Sequence, residues 1–364
     1  MPRTPDLARR VDAILGGDFG RAPTATPTPP IRLHIGDSDT APGPEMPLAA
    51  ELGEVSPWWF RYPATAGTGR LRSALAGFYG EMHGLPTVPE QILVTPGATA
   101  GLNTLVHLLC EPGEEVLVPT PAWPLFPGMV RLAGAVPVEV PLHDEVDALD
   151  AEAIAARVED AVTDRTVLLY LNTPNNPAGT LMDEACCRAL IDVAHRHSLW
   201  VIRDEAYDGM AFDGQSTPPL GLLDPATIVV STFSKMHRAA GLRLGWIRAD
   251  AELTAAATRV ATFQNYSASA AAQALAEPAV LSRADWQPRV LAELQERRDQ
   301  FMAALGLDVE PPAGTYFTFL DLGRWIEGAD GREAAIALHE RGVLVTPGVE
   351  FGRDYDRWIR LLSL

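Results

Sequence analysis

The sequence predicts an α/β protein, with a mostly parallel sheet between helices and a smaller α+β unit after it. Three observations carry this expectation. Between residues 70 and 250, short uninterrupted apolar runs alternate with helix-length stretches. A strand that is apolar on both faces is buried on both faces, as in a parallel sheet covered by helices. The 364 residues, 47% of them apolar, exceed the about 250–300 residues that one core usually spans, so a second unit is expected. Residues 285–304 read as one long amphipathic helix, which we take as the connection between the two units.

The elements follow in order. Thr4-Pro5-Asp6 ahead of Leu7, Val11, Ile14 and Leu15 reads as a short capped helix that Gly16-Gly17 ends. The Pro/Thr-rich stretch 22–30 reads as an extended arm lying along a surface. Leu71–Tyr79 is helical, Ile92–Thr95 a strand and 98–110 a helix. Val116–Val118 is a strand, 124–133 a helix, Val136–Val140 a strand and 151–161 a helix. Val167–Leu171 is a strand, 183–197 a helix, and Trp200–Ile202 and Ile228–Val230 are strands. Beyond the long helix, Thr315–Leu320 and Val343–Val345 are strand-like, with Ala334–Arg341 helical between them.

Composition excludes several classes. There are 47 acidic and 29 basic residues, a formal net charge of −18, so a uniformly basic nucleic-acid surface is not expected. Cys110, Cys186 and Cys187 make no disulfide framework, which fits a reducing, cytoplasmic setting. Residues 1–16 are mixed and charged rather than signal-like. No stretch reaches the about 18 apolar residues of a membrane span. His195 and His197 flank Arg196 without an acid cluster at ligand spacing, so no metal site is expected. Cys186-Cys187 reads as helix packing.

One count narrows the chemistry. The 29 basic residues are 28 arginines and one lysine, Lys235. A GC-rich coding bias would account for the arginine excess, but not for where the one lysine stands.

In open α/β sheets, function sits at the carboxyl ends of the strands. After Ile92–Thr95 comes Pro96-Gly97-Ala98-Thr99-Ala100-Gly101, opening a helix with free N–H groups suited to an anion. After the next strands come Trp123, then Asn172-Thr173-Pro174-Asn175-Asn176, then Asp204-Glu205-Ala206-Tyr207, then Ser231-Thr232-Phe233-Ser234-Lys235. A planar heteroaromatic ring would stack on Trp123. Asp204 could hold a ring nitrogen protonated, and Asn176 and Tyr207 could bond a phenolate oxygen. The Ala98 and Thr99 N–H groups, Thr232, Ser234 and an arginine would take a phosphate. Lys235 would form a Schiff base with an aldehyde. A ligand with all these parts is pyridoxal 5′-phosphate.

At this point the chain resembles a known family. From about Ile31 to the C-terminus it is similar to fold-type-I pyridoxal-phosphate enzymes of the class I/II aminotransferase group, the aspartate aminotransferase superfamily. The resemblance rests on Asn-Asn-Pro-Ala-Gly (175–179), Asp-Glu-Ala-Tyr (204–207), Ser-Thr-Phe-Ser-Lys (231–235) and Gly-Leu-Arg-Leu-Gly (241–245) in that order. It implies a seven-stranded sheet in a large cofactor-binding domain, 40–290, and a small domain from 1–39 and 291–364. It implies that Lys235 carries the cofactor and shuttles the proton, that Asp204 pairs with the ring nitrogen, and that Asn176 and Tyr207 bond the ring hydroxyl. Trp123 would stack on the ring, and Ala98, Thr99, Thr232, Ser234 and Arg243 would hold the phosphate. Tyr62, in Arg-Tyr-Pro-Ala-Thr-Ala-Gly-Thr-Gly (61–69), would reach the phosphate of the partner subunit, which makes the protein a homodimer with shared sites. Arg360 and the Gly36 backbone would bind the substrate α-carboxylate. The implied reaction moves an amino group between an L-amino acid and a 2-oxo acid, in ping-pong fashion. A final helix is also implied, whereas this sequence runs only four residues past Arg360.

Other readings stay open at this level. Asp204 could cap a helix, Trp123 could be plain core, Asn176 and Tyr207 could be turn residues, and Arg360 could sit in a surface ion pair. Trp58-Trp59-Phe60 fits a subunit interface or a pocket wall. His237 either reaches the site or is structural. The same cofactor also supports elimination, replacement or cyclisation, and a degenerate member could be a non-catalytic binding subunit.

Overall fold

The computed structural model describes residues 30–36 and 57–363. The expected N-terminal helix and nearly all of the arm lie outside the described residues.

Twelve strands and ten α-helices follow in chain order among the described residues. They are β1 (Ile31–Arg32), α1 (Gly69–His83), β2 (Ile92–Thr95), α2 (Gly97–Leu109), β3 (Glu115–Thr120), α3 (Leu125–Leu132), β4 (Val136–Pro141), α4 (Ala151–Glu159), β5 (Thr166–Asn172) and α5 (Glu184–Arg196). Then come β6 (Trp200–Asp204), α6 (Leu220–Leu223), β7 (Ile228–Thr232), β8 (Gly245–Arg248), α7 (Ala251–Gln264), α8 (Ala270–Leu281) and α9 (Arg283–Leu305). The chain closes with β9 (Phe317–Asp321), α10 (Gly331–Glu340), β10 (Val343–Leu344), β11 (Thr346–Pro347) and β12 (Trp358–Leu362).

The main sheet has seven strands in the order β2-β8-β7-β6-β5-β3-β4. The β3–β7 pairings are parallel, and β8 alone runs against its neighbours β7 and β2. Alternation along each strand decides which layer a side chain enters. Val116, Val118, Leu168, Tyr170, Ile202 and Val230 pack with α2 and α3 residues such as Leu102 and Phe126. Leu117, Leu169, Leu171 and Val201 pack with Ile154, Leu190 and Val193 of α4 and α5. Both faces are dry, which is why these strands read as continuous apolar runs.

Local signals set the helix ends. Asp150 and Asp183 accept from the first-turn N–H groups of α4 and α5, and Thr68 does so for α1. Helix α2 differs, because Pro96 precedes it and no side chain caps it.

Past α9, β9 pairs antiparallel with β12, and β12 with β11. The two-residue β1 pairs with β10, tying the segment ahead of Gly36 to the C-terminal part of the chain. Several expectations need adjustment. The strand expected from Thr315 starts at Phe317, because Thr315 takes a left-handed φ of 64°. The strand expected over 343–345 is split into β10 and β11. Strand β6 runs two residues beyond the expected Ile202, which makes Asp204 its last residue.

Candidate active site

The carboxyl ends of β2, β3, β5, β6 and β7 surround a cavity of about 440 Å³. Its lining includes Gly36, Ala98, Thr99, Trp123, Asn176, Asp204, Tyr207, Thr232, Ser234, Lys235, Arg243 and Arg360. Every site residue singled out in the sequence is therefore in one place except Tyr62. That residue is 84% exposed and packs edge-on against Tyr266, at 5.0 Å between ring centres, outside the cavity.

At one end of the cavity is a cup of donors. It is formed by the uncapped start of α2, by Thr232 and Ser234 with hydroxyls 2.9 Å apart, and by Arg243. Arg243 takes a left-handed φ of 50° and donates to the Ala240 carbonyl at 2.9 Å. Two glycines keep the cup open. A Cβ on Gly97 would stand 2.8 Å from an Arg243 guanidinium nitrogen, and one on Gly245 would stand 2.6 Å from the Ala98 amide. Dipole, amides, hydroxyls and guanidinium together suit a phosphate.

In the middle, Asp204 is 4% exposed at the end of β6. No helix follows it, so the helix-cap reading does not hold. Its Oδ1 instead accepts from the Ala206 amide at 2.9 Å, and its Oδ2 accepts from the Tyr170 hydroxyl at 2.7 Å. Burial pushes its carboxyl above the usual range, while the Tyr170 and Ala206 hydrogen bonds and Lys235 pull it back. Trp123 is half-buried, with contacts to the core on one side and the cavity on the other.

Asn176 and Tyr207 each sit in a turn past a strand end, and the two turns bring them together as a pair. The Asn176 amide nitrogen lies 3.4 Å from the Tyr207 hydroxyl, and its oxygen accepts from Arg360 at 2.9 Å. Burial raises the Tyr207 phenol, so it stays protonated. Lys235 Nζ donates to the Gly36 carbonyl at 2.7 Å. It also stands 5.7 Å from the Tyr207 ring and 5.8 Å from the Tyr316 ring.

Arg360, on β12, is 3% exposed, which rules out a surface ion pair. Its guanidinium lies 4.2 Å from the Phe317 ring and 4.7 Å from the Phe351 ring. Its acceptors are Asn176 Oδ1, the His34 carbonyl and the Thr346 hydroxyl, all neutral. Its Nε is buried and has no hydrogen-bond partner among the described residues. A desolvated cation that lines the cavity beside neutral acceptors is suited to a carboxylate.

The sequence reading gave no role to several lining residues, among them Asn172, His34, Ile35, Leu125 and Phe317. Asn172 had a signal, since it ends β5. Its Oδ1 accepts from the Asn176 amide at 2.9 Å and its Nδ2 donates to the Asp204 carbonyl at 3.1 Å. Phe317 had none, because only the return of the C-terminal sheet brings it to the site. His237 does not line the cavity. It is 4% exposed between Phe233 and Trp286, at 4.7 and 5.0 Å, which fits the structural alternative.

Comparison with known proteins agrees with this architecture. Residues 28–362 match the family described as Aminotransferase class I and II. A probable aspartate/prephenate aminotransferase of Thermus aquaticus is 33% identical over 299 residues, 80% of this chain and 76% of that protein. A probable N-succinyldiaminopimelate aminotransferase of Mycobacterium tuberculosis is 33% identical over 315 residues, 84% of this chain and 78% of that protein. Among solved structures, the Thermus thermophilus aspartate aminotransferase with maleate superimposes with a TM-score of 0.87 at 28% identity, covering 99% of this chain and 95% of that one. The family match across nearly the whole chain, joined to this fold, makes the protein a member of the class I and II aminotransferases, which use pyridoxal 5′-phosphate to move an amino group between an amino acid and a 2-oxo acid.

Proposed function

We propose that the cavity is where this transfer takes place and that Lys235 is its reacting amine. The observation that carries this reading is positional. The one ε-amine in 364 residues lines the same cavity as a buried carboxylate, an uncapped helix start and a desolvated arginine.

The residues fit the cofactor part by part. The cup of Ala98, Thr99, Thr232, Ser234 and Arg243 would hold its phosphate, with Gly97 leaving the room that a Cβ would fill. Asp204 would hold a proton on the ring nitrogen, Asn176 and Tyr207 would bond the ring hydroxyl, and Trp123 would cover the ring. When bound, pyridoxal phosphate supplies an aldehyde for the amine and a ring that accepts the electron pair left by the α-proton. Arg360 would fork onto the substrate α-carboxylate, with Gly36 beside it. That would hold the α-carbon within reach of Lys235. Lys235 Nζ, once neutral, is then the base that takes the α-proton and the acid that returns it. The two substrates use this site in turn, as the ping-pong scheme of the family requires.

We read the functional unit as a homodimer. Tyr62 and Phe60 are 84% and 81% exposed, and Phe263, not far along the chain from Tyr266, is 93% exposed. A second copy covering these rings would bring Tyr62 to the other subunit's phosphate cup. We also take 40–290 as the large unit and 1–39 with 291–364 as the small one, supported by the pairing of β1 with β10. Buried, free Cys110, Cys186 and Cys187 support a cytoplasmic setting. Among the described residues no helix is long and apolar enough to cross a membrane.

The test is an absorbance spectrum of the cofactor-loaded protein before and after a panel of L-amino acids, with the product mass read on each responder. The expected result is a loss of the long-wavelength band together with the matching 2-oxo acid. Lys235→Ala should abolish both. Transfer at an unchanged rate in that variant overturns the assignment of Lys235.

A further inference from the structure

Tyr170 stands out on its face of the sheet. Leu168 and Ile202, beside it on that face, are apolar, and it is itself 1% exposed. Its ring stacks on Phe126 with centres 3.7 Å apart and planes at 15°. A phenylalanine would fill that space equally well, so packing does not call for the hydroxyl. The hydroxyl donates to Asp204 Oδ2 at 2.7 Å. The register explains the reach. Asn172 lies opposite Asp204 across the β5–β6 pair, so Tyr170 is its diagonal neighbour on the same face.

The result is a carboxylate gripped from behind. Tyr170 holds one oxygen, and the Ala206 amide holds the other. Each carboxylate oxygen accepts two hydrogen bonds, so both keep acceptor capacity toward the cavity. We infer that Tyr170 is a positioning residue, whose hydroxyl fixes the orientation of Asp204 and keeps it ionised for the cofactor ring nitrogen. This rests on the role proposed above for Asp204.

The energetics point the same way. Burial alone favours the neutral acid, in which Asp204 could not carry the charge a protonated ring nitrogen needs. The other groups acting on Asp204 are Lys235, from the loop after β7, and the Ala206 amide, while Tyr207 feels the Asp204 charge. Tyr170 is a side chain that donates a hydrogen bond to it directly. Removing that donor raises the Asp204 pKa. The pH below which the cofactor is lost then moves upward.

The test is the dissociation constant of pyridoxal phosphate against pH, measured for wild type, Tyr170→Phe, Asp204→Asn and the double variant. Melting of each cofactor-free protein is measured beside it. Tyr170→Phe is expected to weaken binding about tenfold at neutral pH, as for a lost bond to a charged acceptor. Its acid limb should move to higher pH, and its effect should vanish in the Asp204→Asn background. An equal loss in both backgrounds, with the acid limb unmoved, means that Tyr170 only packs and overturns the proposal. So does binding by Tyr170→Phe that matches wild type while Asp204→Asn is impaired. If Asp204→Asn itself binds as wild type does at every pH, the assignment of Asp204 fails, and that of Tyr170 with it.

Discussion

The two anion receptors proposed for the cavity are built in opposite ways. Arg243 is exposed, stands in a left-handed turn beside the start of α2, and shares its task with amides and hydroxyls. Arg360 is buried between two phenylalanine rings and relies on its own fork. An exposed guanidinium competes with water and salt, so several donors must act together. A buried one is already desolvated, and burial pushes Arg360 down to about 10. Each anion it meets is therefore worth more. With the roles proposed above, the difference would match the time each ligand spends there. A cofactor that stays can be held by many weak contacts, whereas a substrate that enters and leaves needs one strong, directional contact.

The largest expected effect comes from breaking the buried receptor. Arg360→Ala should lower kcat/KM for the amino acid by about three orders of magnitude, the scale of a truncated buried charge pair. Its cofactor affinity should stay within a few-fold of wild type. A comparable loss of cofactor binding would mean that the two arginines do not divide the work. Next comes Arg243→Ala. Here cofactor affinity should fall about 10- to 100-fold, with the gap to wild type narrowing as salt is added. A titration at two ionic strengths checks this, and a salt-independent gap would count against the shared, exposed character of the cup. The smallest effect sharpens the local geometry. Gly97→Ala puts a Cβ at a φ of 80° and 2.8 Å from Arg243. Strain of about 1–3 kcal/mol is expected, with a several-fold loss of cofactor affinity. That loss should shrink when Arg243 is also alanine, because the clashing group is gone. Simple additivity would place the clash elsewhere.

Much of this was legible in the sequence because the site is assembled from strand ends. Asn176, Asp204, Tyr207 and Lys235 each follow an apolar run, so the fold rule and the residue types pointed to one place. The parts that were not legible depend on distant pairing or lack a pattern. Strand β8 is four residues long and carries the buried Arg248, so it reads as a loop until β7 and β2 pair with it. Helices α7 and α8 are rich in alanine, which leaves no apolar stripe to count. Tyr170 sits inside an apolar run and reads as core, and only the β5–β6 register reveals what its hydroxyl meets. Arg360 stands 184 residues from Asn176, and no local signal tells that the two are bonded.

The solitary ε-amine also makes the molecule a reporter on itself. Amine-selective acylation can modify only one side chain in the whole sequence, and that side chain lines the cavity. One mass shift on the peptide that carries Lys235 would read its accessibility directly, with no background from surface lysines. Occupancy of the cavity could then be followed in a crude mixture, before any substrate is known.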